Sequence, residues 1–199
     1  MPVDNTDNSE GNEDPNSDPD PDAIQLLFIG NSLTMQNDLP QLVKDRAAEL
    51  GISVEVTNNS GPGFGLQDHW SVGIIQGLIS SGFYDFVIIQ QGPSSTEEGG
   101  NSLSQYGSLI AELCAAGNTQ LAFFMVWPSI NNFNTFPGVI AHYTEAAQQN
   151  DAILCPVGSH WKAYIENTED YSYYGSDGFH PSLYGSQIAA QIIVQSLGL

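Results

Sequence analysis

The stretch LLFIGNSLTMQNDLP, residues 26–40, decides how the rest of the sequence is interpreted. An apolar run of strand length ends at Gly30, and a polar turn that contains Ser32 separates it from the next helical pattern. Asp38, with Pro40 two places later, is typical of a helix start. The stretch therefore predicts a buried strand, a polar turn and a helix. The turn either merely connects the two elements or presents Ser32 as a nucleophile.

The same alternation continues to the end of the chain. Short apolar runs alternate with longer mixed segments, which is typical of strands separated by helices. The run FVII, residues 86–89, is apolar throughout and indicates burial on both faces of a parallel sheet. We predict strands at 24–29, 52–57, 85–90, 120–127 and 152–157, and helices at about 38–50, 67–80, 101–116, 137–149, 159–166 and 181–197.

Five strand and helix units in a row predict an α/β fold. The expected architecture is a three-layer α/β/α sandwich with a five-stranded parallel sheet and right-handed crossovers. In open sheets of this kind the ligand site lies at the carboxyl ends of the strands. Because polar or glycine-rich segments follow the first four strands, we expect these segments to form one site: residues 30–32, 60–65, 90–94 and 127–129.

The first 22 residues differ in composition from the rest. They contain eight acidic residues and four prolines but no aromatic side chain, too little apolar surface to offset the entropy of ordering them. We expect residues 1–22 to be a disordered acidic linker and residues 23–199 to form one domain. Such a start also favours a secreted, periplasmic or cell-surface protein whose export signal has been removed.

Charge excludes several classes of partner. The formal net charge is −20, and the chain has only three basic residues, Lys44, Arg46 and Lys162. Nucleic acid and anionic membrane surfaces are excluded because each requires a basic face. The strongest apolar run, residues 121–127, is too short to cross a bilayer, so we expect no membrane insertion. A monomer or weak oligomer is expected.

The segment YGSDGFHPSLYGSQIAA, residues 174–190, supplies a base and a carboxylate. Asp177 and His180 lie three residues apart on a glycine-containing turn before the last predicted helix. A serine hydroxyl is a weak nucleophile until a base takes its proton, and the imidazole base needs a carboxylate to fix its tautomer. Ser32, His180 and Asp177 provide these three groups. Taken singly, Ser32 is also typical of a helix cap, and Asp177 of a turn.

Two motifs carry a resemblance to a known family. Residues 30–33, GNSL, and residues 177–180, DGFH, resemble the first and last blocks of the SGNH (GDSL-like) hydrolase superfamily. The resemblance extends in order and spacing over nearly all of residues 23–199. It implies a flavodoxin-like SGNH hydrolase fold, a Ser-His-Asp triad and no cofactor. No metal site is expected either, because His142 and His160 lie apart from any carboxylate pair and show no metal-ligand spacing.

The resemblance also implies an oxyanion hole with three donors. In that family these are the N–H of the nucleophile, a glycine N–H after the second strand and an asparagine side chain after the third. Here the first is Ser32. The glycine is Gly63, because GFGLQDHW, residues 63–70, resembles the glycine turn of the family. Gly61 is the alternative.

The third donor departs from the family pattern. The segment after the third strand is QQGPSS, residues 90–95, and Ser94 stands where the asparagine is expected. Gln91 followed by glycine resembles the Gln-Gly-Glu of carbohydrate acetylesterases in the superfamily. Gln91 is therefore the favoured donor, and Ser94 and Gln90 are the alternatives.

These features favour a serine esterase of short-chain acyl esters, with O-acetyl groups on carbohydrate as the substrate. We expect the pocket to be lined by Asn31, His69, Trp127 and Phe179. One alternative is a longer-chain lipase or thioesterase, in which the aromatics of residues 129–136 line an apolar groove. Another is a silent glycan-binding module. A nucleotide binder is disfavoured because the turn after the first strand has a single glycine.

Overall fold

Five parallel strands form one sheet in the computed structural model, which describes residues 22–199. The predicted acidic linker lies, apart from Asp22, outside the described residues. The order of the strands across the sheet is β2-β1-β3-β4-β5, which is the flavodoxin-like order. The strands are β1 (Ile24–Gly30), β2 (Val54–Ser60), β3 (Phe86–Ile89), β4 (Gln120–Phe124) and β5 (Ile153–Cys155).

Helices cover both faces of this sheet. α2 packs against α8, and α5 packs against α3, α4 and α6, while α7 contacts both α6 and α8. This grouping is expected for the outer layers of an α/β/α sandwich with right-handed crossovers. The helices are α1 (Ser32–Met35), α2 (Leu39–Glu49), α3 (Leu66–Val72), α4 (Ile74–Ser80), α5 (Glu97–Ala116), α6 (Phe136–Gln149), α7 (Val157–Thr168) and α8 (Leu183–Leu197). Short 3₁₀ segments lie at Gln36–Asp38 and Ile130–Thr135.

The predicted fold class is confirmed, with differences at element boundaries. The helix predicted at 67–80 is two helices, because Gly73 between them has a φ of 85° that breaks the helical path. The fourth strand ends at Phe124 rather than at residue 127. The chain continues past it as buried non-strand backbone, and the Met125 N–H donates to the Cys155 carbonyl at 3.0 Å.

The central strands are buried on both faces, as expected for a parallel sheet under two helical layers. The four residues of β3 are all buried, and so are the last five of β1. Cys114 and Cys155 are buried free thiols, and burial raises the pKa of each to about 12, so neither is a nucleophile near neutral pH. Within residues 22–199 no helix has the length and apolarity needed to cross a membrane.

Candidate active site

Ser32 lies at the carboxyl edge of the sheet, two residues after β1 ends. The turn between strand and helix is capped by Asn31, whose side-chain Oδ1 accepts a hydrogen bond from the Leu33 N–H at 3.1 Å. An asparagine cap satisfies one of the unpaired N–H groups at the start of a helix. Ser32 is therefore the first residue of α1 and its side chain is partly exposed.

The backbone N–H of Ser32 is the one left available at this turn. The Asn31 N–H donates to Gln90 Oε1 at 2.9 Å, and the Thr34 and Met35 N–H groups both donate to the Asn31 carbonyl at 3.0 Å. In the part of the chain that the structure describes, the Ser32 N–H has no hydrogen-bond acceptor. The turn thus presents a hydroxyl and an uncommitted N–H from the same residue.

His180 connects Ser32 to a carboxylate. Its Nε2 lies 3.0 Å from Ser32 Oγ, and its Nδ1 lies 2.6 Å from Asp177 Oδ2. The other carboxylate oxygen, Asp177 Oδ1, accepts the backbone N–H groups of Phe179 and His180, each at 2.9 Å. The hydrogen bond from His180, followed by that from the Phe179 N–H, lowers the pKa of Asp177, so it is ionised at neutral pH.

The turn that carries Asp177 and His180 is closed by its own backbone. The Gly175 N–H donates to the His180 carbonyl at 2.7 Å, and Gly178 takes a left-handed φ of 69° within the turn. The segment after β4 supports the turn from the side, because the Ile130 N–H donates to the Gly178 carbonyl at 2.9 Å. The base and the carboxylate therefore belong to one rigid loop.

The loop after β2 decides between the two candidate glycines. The Gly61 N–H donates to the Gly30 carbonyl at 3.0 Å and is not free for a substrate. The N–H of Gly63 has no acceptor within residues 22–199, and its φ of 74° suits glycine. Asn31 Nδ2 donates to the Phe64 carbonyl at 3.1 Å and ties this loop to the Ser32 turn. The geometry is thus compatible with the Gly63 N–H as an oxyanion donor, whereas the Gly61 N–H is already hydrogen-bonded within the protein.

The Gln91 amide, which the sequence favours as an oxyanion donor, is engaged in other hydrogen bonds in the structure. Both hydrogens of its Nε2 are committed, one to Ser94 Oγ at 3.0 Å and one to the Gly99 carbonyl at 3.2 Å. Its Oε1 accepts the Leu66 N–H at the start of α3, at 3.3 Å. Gln91 therefore joins the first turns of two helices instead of facing the reaction centre.

The two alternatives to Gln91 are committed as well. Ser94 is buried and its hydroxyl donates to the Gly92 carbonyl at 3.0 Å. Gln90 is also buried, and its Nε2 donates to the Gln91 carbonyl at 2.6 Å. Within the described residues, the backbone N–H groups of Ser32 and Gly63 have no hydrogen-bond acceptor, whereas each of the three candidate side chains donates to at least one acceptor.

Of the four predicted pocket residues, Phe179 lies beside the base. Its ring meets that of His180 edge-on, with centroids 5.2 Å apart, and it is half-buried. Asn31 is buried and holds the two loops described above, so its side chain supports the site from within.

His69 and Trp127 do not line an open pocket. Trp127 has no exposed surface because its ring stacks on Trp161 with centroids 3.5 Å apart, and its Nε1 donates to the Phe179 carbonyl at 3.0 Å. His69 is buried, its Nε2 lies 2.8 Å from the Gly30 carbonyl oxygen, and burial lowers its pKa. Both predicted pocket residues are therefore buried core residues in the structure.

The aromatics of residues 129–136, which the sequence offers only as an apolar groove for a lipase, belong to a surface next to the Asp177 turn that also carries exposed amides. Phe133, half-buried, lies with its ring centroid 6.3 Å from that of the exposed Tyr171. Three asparagines that flank Phe133 are exposed: Asn131, Asn132 and Asn134. The alternation of amides around one aromatic in NNFN, residues 131–134, was the available signal. We call Asn131, Asn132, Phe133, Asn134 and Tyr171 the asparagine–aromatic surface.

Comparisons with known proteins agree with this geometry at the level of the fold. No protein-family model matches the chain, and no curated protein does. Among solved structures, the chain is similar to a candidate SGNH hydrolase from Slackia heliotrinireducens, with 21% identity, coverage of 88% of this chain and 100% of that one, and a TM-score of 0.76.

Two further solved structures are similar over the same region. A lipase/acylhydrolase from Enterococcus faecalis has 16% identity, coverage of 87% and 95%, and a TM-score of 0.71. A catalytic mutant of an acetylxylan esterase from Geobacillus stearothermophilus has 16% identity, coverage of 88% and 94%, and a TM-score of 0.63. The chain therefore has the SGNH hydrolase fold, as its two end motifs predict.

Proposed function

We propose that the protein is a serine esterase, a carboxylic ester hydrolase that acts through Ser32, His180 and Asp177. The observation that carries the proposal is the continuous hydrogen-bonded chain from Ser32 Oγ through both imidazole nitrogens to the Asp177 carboxylate. A hydroxyl, an imidazole and a carboxylate in this order are the parts of an activated serine nucleophile. The SGNH hydrolase fold supports the proposal, because Ser32 lies at the carboxyl edge of the sheet and ligand sites of open parallel sheets occur at that edge.

In the acylation half-reaction, His180 Nε2 takes the proton of Ser32 Oγ as the oxygen attacks the ester carbonyl carbon. The new O–C bond forms, and the carbonyl electron pair moves onto its oxygen. The N–H groups of Ser32 and Gly63 donate to that oxyanion, where preorganised donors are worth most. When the tetrahedral centre collapses, the bond to the alcohol breaks and His180 gives its proton to the leaving oxygen.

Deacylation repeats the same steps with water. His180 Nε2 takes a proton from water, the hydroxide oxygen attacks the acyl carbon, and the bond to Ser32 Oγ breaks. Ser32 recovers its proton from His180 and the carboxylic acid departs. Through both half-reactions the ionised Asp177 holds the Nδ1 proton and stabilises the imidazolium that forms.

For the substrate, we favour short acyl groups, and specifically acetyl groups on carbohydrate. The asparagine–aromatic surface supports this choice, because exposed aromatic faces pack against the apolar faces of sugar rings and amides hydrogen-bond their hydroxyls. The basic side chains Lys44, Arg46 and Lys162 all pair with carboxylates on their own helices or on β2. A neutral ester therefore fits the site better than an anionic one.

A longer-chain lipase or thioesterase is the second candidate. It is favoured by the exposed side chain of Met35, three residues after Ser32, and by Ile130 beside the Asp177 turn, which would give a long acyl chain apolar contacts. A silent glycan-binding module is the less favoured interpretation, because the hydrogen-bonded geometry of Ser32 and His180 has no use in binding alone.

The deciding experiment is hydrolysis of p-nitrophenyl acetate, butyrate and octanoate by the wild type and by Ser32→Ala. We expect activity that falls with chain length and is lost in the variant, together with release of acetate from an acetylated oligosaccharide. Activity that rises with chain length would favour the lipase. Hydrolysis that persists in Ser32→Ala, or none in the wild type on any ester, would overturn the proposal.

A further inference from the structure

Gln90 is a buried polar residue that contacts the Ser32 turn directly. It is 1% exposed and follows β3 immediately, at the same edge of the sheet as Ser32. Its Oε1 accepts two hydrogen bonds, from the Asn31 N–H and from the Thr34 hydroxyl, each at 2.9 Å. A buried carboxamide whose oxygen has two donors from one four-residue segment holds that segment in one orientation.

The orientation of this carboxamide is fixed at both ends. The backbone N–H of Asn31 can only donate, so the oxygen of Gln90 must face it. The nitrogen faces the Gln91 carbonyl at 2.6 Å, and that carbonyl also accepts the hydroxyl of the fully buried Tyr143 at 2.5 Å. The Ser32 turn is thereby connected through Gln90 to a rigid point in the core.

The fit between Gln90 and the turn is tight. A β-carbon at Gly30 would lie 2.7 Å from Gln90 Oε1 and 2.3 Å from Thr34 Oγ1, so only glycine allows this approach. Gln90 Oε1 accepts the hydrogen bond of the Asn31 N–H, and the Asn31 side chain accepts that of the Leu33 N–H. The Ser32 N–H, which lies between these two, has no acceptor in the described part of the chain. The hydrogen bond to Gln90 thus helps to define which N–H is offered to the substrate.

We propose that Gln90 is a positioning residue that orients the Ser32 N–H and hydroxyl for reaction without touching the substrate. The inference rests on the proposed esterase function. It assigns a role to Gln90, the first residue of the segment that departs from the family pattern: Gln90 supports the nucleophile turn through hydrogen bonds to Asn31 and Thr34. A turn that loses this support keeps its substrate but misplaces the oxyanion donor and the nucleophile.

The test replaces Gln90 by a side chain of similar length that makes no amide hydrogen bonds, Gln90→Met. We expect kcat for p-nitrophenyl acetate to fall about a hundredfold, because small misplacements at a reaction centre have effects of this size. KM should stay within about twofold, because ground-state binding does not use the oxyanion donor. Affinity for an alkylboronic acid, which forms a tetrahedral adduct with a serine hydroxyl, should fall by a factor comparable to kcat.

The matched control is Thr119→Val, which removes a buried hydrogen bond of 2.8 Å to the Tyr84 carbonyl just before β4, at the opposite edge of the sheet. It should lower the melting temperature and leave kcat and boronic acid affinity unchanged. If Gln90→Met changes stability but neither kinetic quantity, Gln90 is only structural and the proposal is overturned.

Thr34→Val provides a second route if Gln90→Met does not fold. It is nearly isosteric and removes one of the two hydrogen bonds to Gln90 Oε1, and we expect kcat to fall severalfold with KM unchanged. In the double variant Gln90→Met, Thr34→Val the two losses of kcat should not add, because each substitution removes the hydrogen bond between Thr34 Oγ1 and Gln90 Oε1. Unchanged kcat in Thr34→Val and Gln90→Met, with Ser32→Ala inactive, overturns the positioning role alone. Activity in Ser32→Ala overturns the esterase itself.

Discussion

At the scale of single residues, Ser32 and His180 come from opposite ends of the domain and meet across 148 positions of sequence. Ser32 is fixed by the turn after β1, whereas His180 and Asp177 are fixed by a separate loop whose backbone closes on itself. Each half is held independently of the other. The hydrogen bond of 3.0 Å between them is therefore set by the packing of the whole fold.

The carboxylate of Asp177 is expected to be essential for turnover. In Asp177→Asn an amide nitrogen can face His180 Nδ1, which favours the imidazole tautomer that cannot take the Ser32 proton. We expect kcat to fall by about a thousandfold or more. Esterase assays of the wild type and of Asp177→Asn from pH 6 to 9 would measure this fall in kcat.

The control for this prediction lies in the same segment of the chain. Asp170 accepts hydrogen bonds from the Tyr164 and Ser172 hydroxyls and does not contact the triad. Asp170→Asn should therefore keep nearly full kcat. If Asp177→Asn is as active as Asp170→Asn, the carboxylate has no part in the reaction.

How far the site could be predicted from sequence differs between residues. Ser32, Asp177 and His180 belong to compact motifs whose chemistry can be identified without a structure. The roles of Gln90 and Gln91 cannot, because successive residues at the end of a strand point in opposite directions. Which of them meets the Ser32 turn depends on the register of β1 against β3, where Ile29 is paired with Ile89. That register is set by the tertiary structure and cannot be read from either strand alone, and it places Gln90 beside Gly30.

At the scale of secondary-structure elements, local apolarity predicted the strands well because strands buried on both faces are apolar throughout. Helix breaks were less predictable. Gly73 lies between two apolar stretches that fit one helical pattern, and a single glycine is tolerated inside many helices. Its φ of 85° divides the pattern into α3 and α4, which the sequence alone did not indicate.

Two glycines in this region should respond oppositely to the same substitution. Gly73→Ala places a β-carbon at a left-handed φ and should lower the free energy of unfolding by about 1 kcal/mol or more. Gly77→Ala lies in the middle of α4, where an added β-carbon meets no atom within 4 Å. It should raise stability by roughly 0.5 to 1 kcal/mol. Urea unfolding of both variants would measure the difference, and destabilisation by Gly77→Ala would contradict it.

The contact between α3 and β1 should make stability depend on pH. His69 on α3 lies 2.8 Å from the Gly30 carbonyl oxygen, and burial lowers its pKa below the ordinary value of 6.5. The unfolded chain therefore takes up a proton at higher pH than the folded one. The stabilisation is complete above about pH 6.5 and is lost progressively as the pH falls toward the lower folded pKa.

Replacement of His69 should weaken this pH dependence. His69→Gln removes the titrating group, so its melting temperature should fall less between pH 7 and pH 5 than that of the wild type. Thermal unfolding at several pH values would make the comparison. Equal pH dependence in His69→Gln and the wild type would mean that His69 contributes nothing to it.

At the scale of the whole molecule, charge is the dominant feature. The formal net charge is −20, and each of the three basic side chains pairs with a glutamate on α2, β2 or α7, outside the active-site loops. Asp177 adds a carboxylate at the site itself. The potential around Ser32 should therefore be negative, and a charged substrate would sense it before contact.

Matched esters make this potential measurable. Acetylcholine carries a positive charge, and 3,3-dimethylbutyl acetate has nearly the same shape without it. The ratio of their kcat/KM values should be severalfold higher at low ionic strength than in strong salt, since the screening length shrinks from about 30 Å at 0.01 M to about 3 Å at 1 M. The neutral ester alone should show little salt dependence and so controls for effects on the enzyme. A ratio that does not change with salt would mean that the acidic surface leaves the approach to Ser32 electrostatically neutral, and that selection among esters depends on contacts at the site.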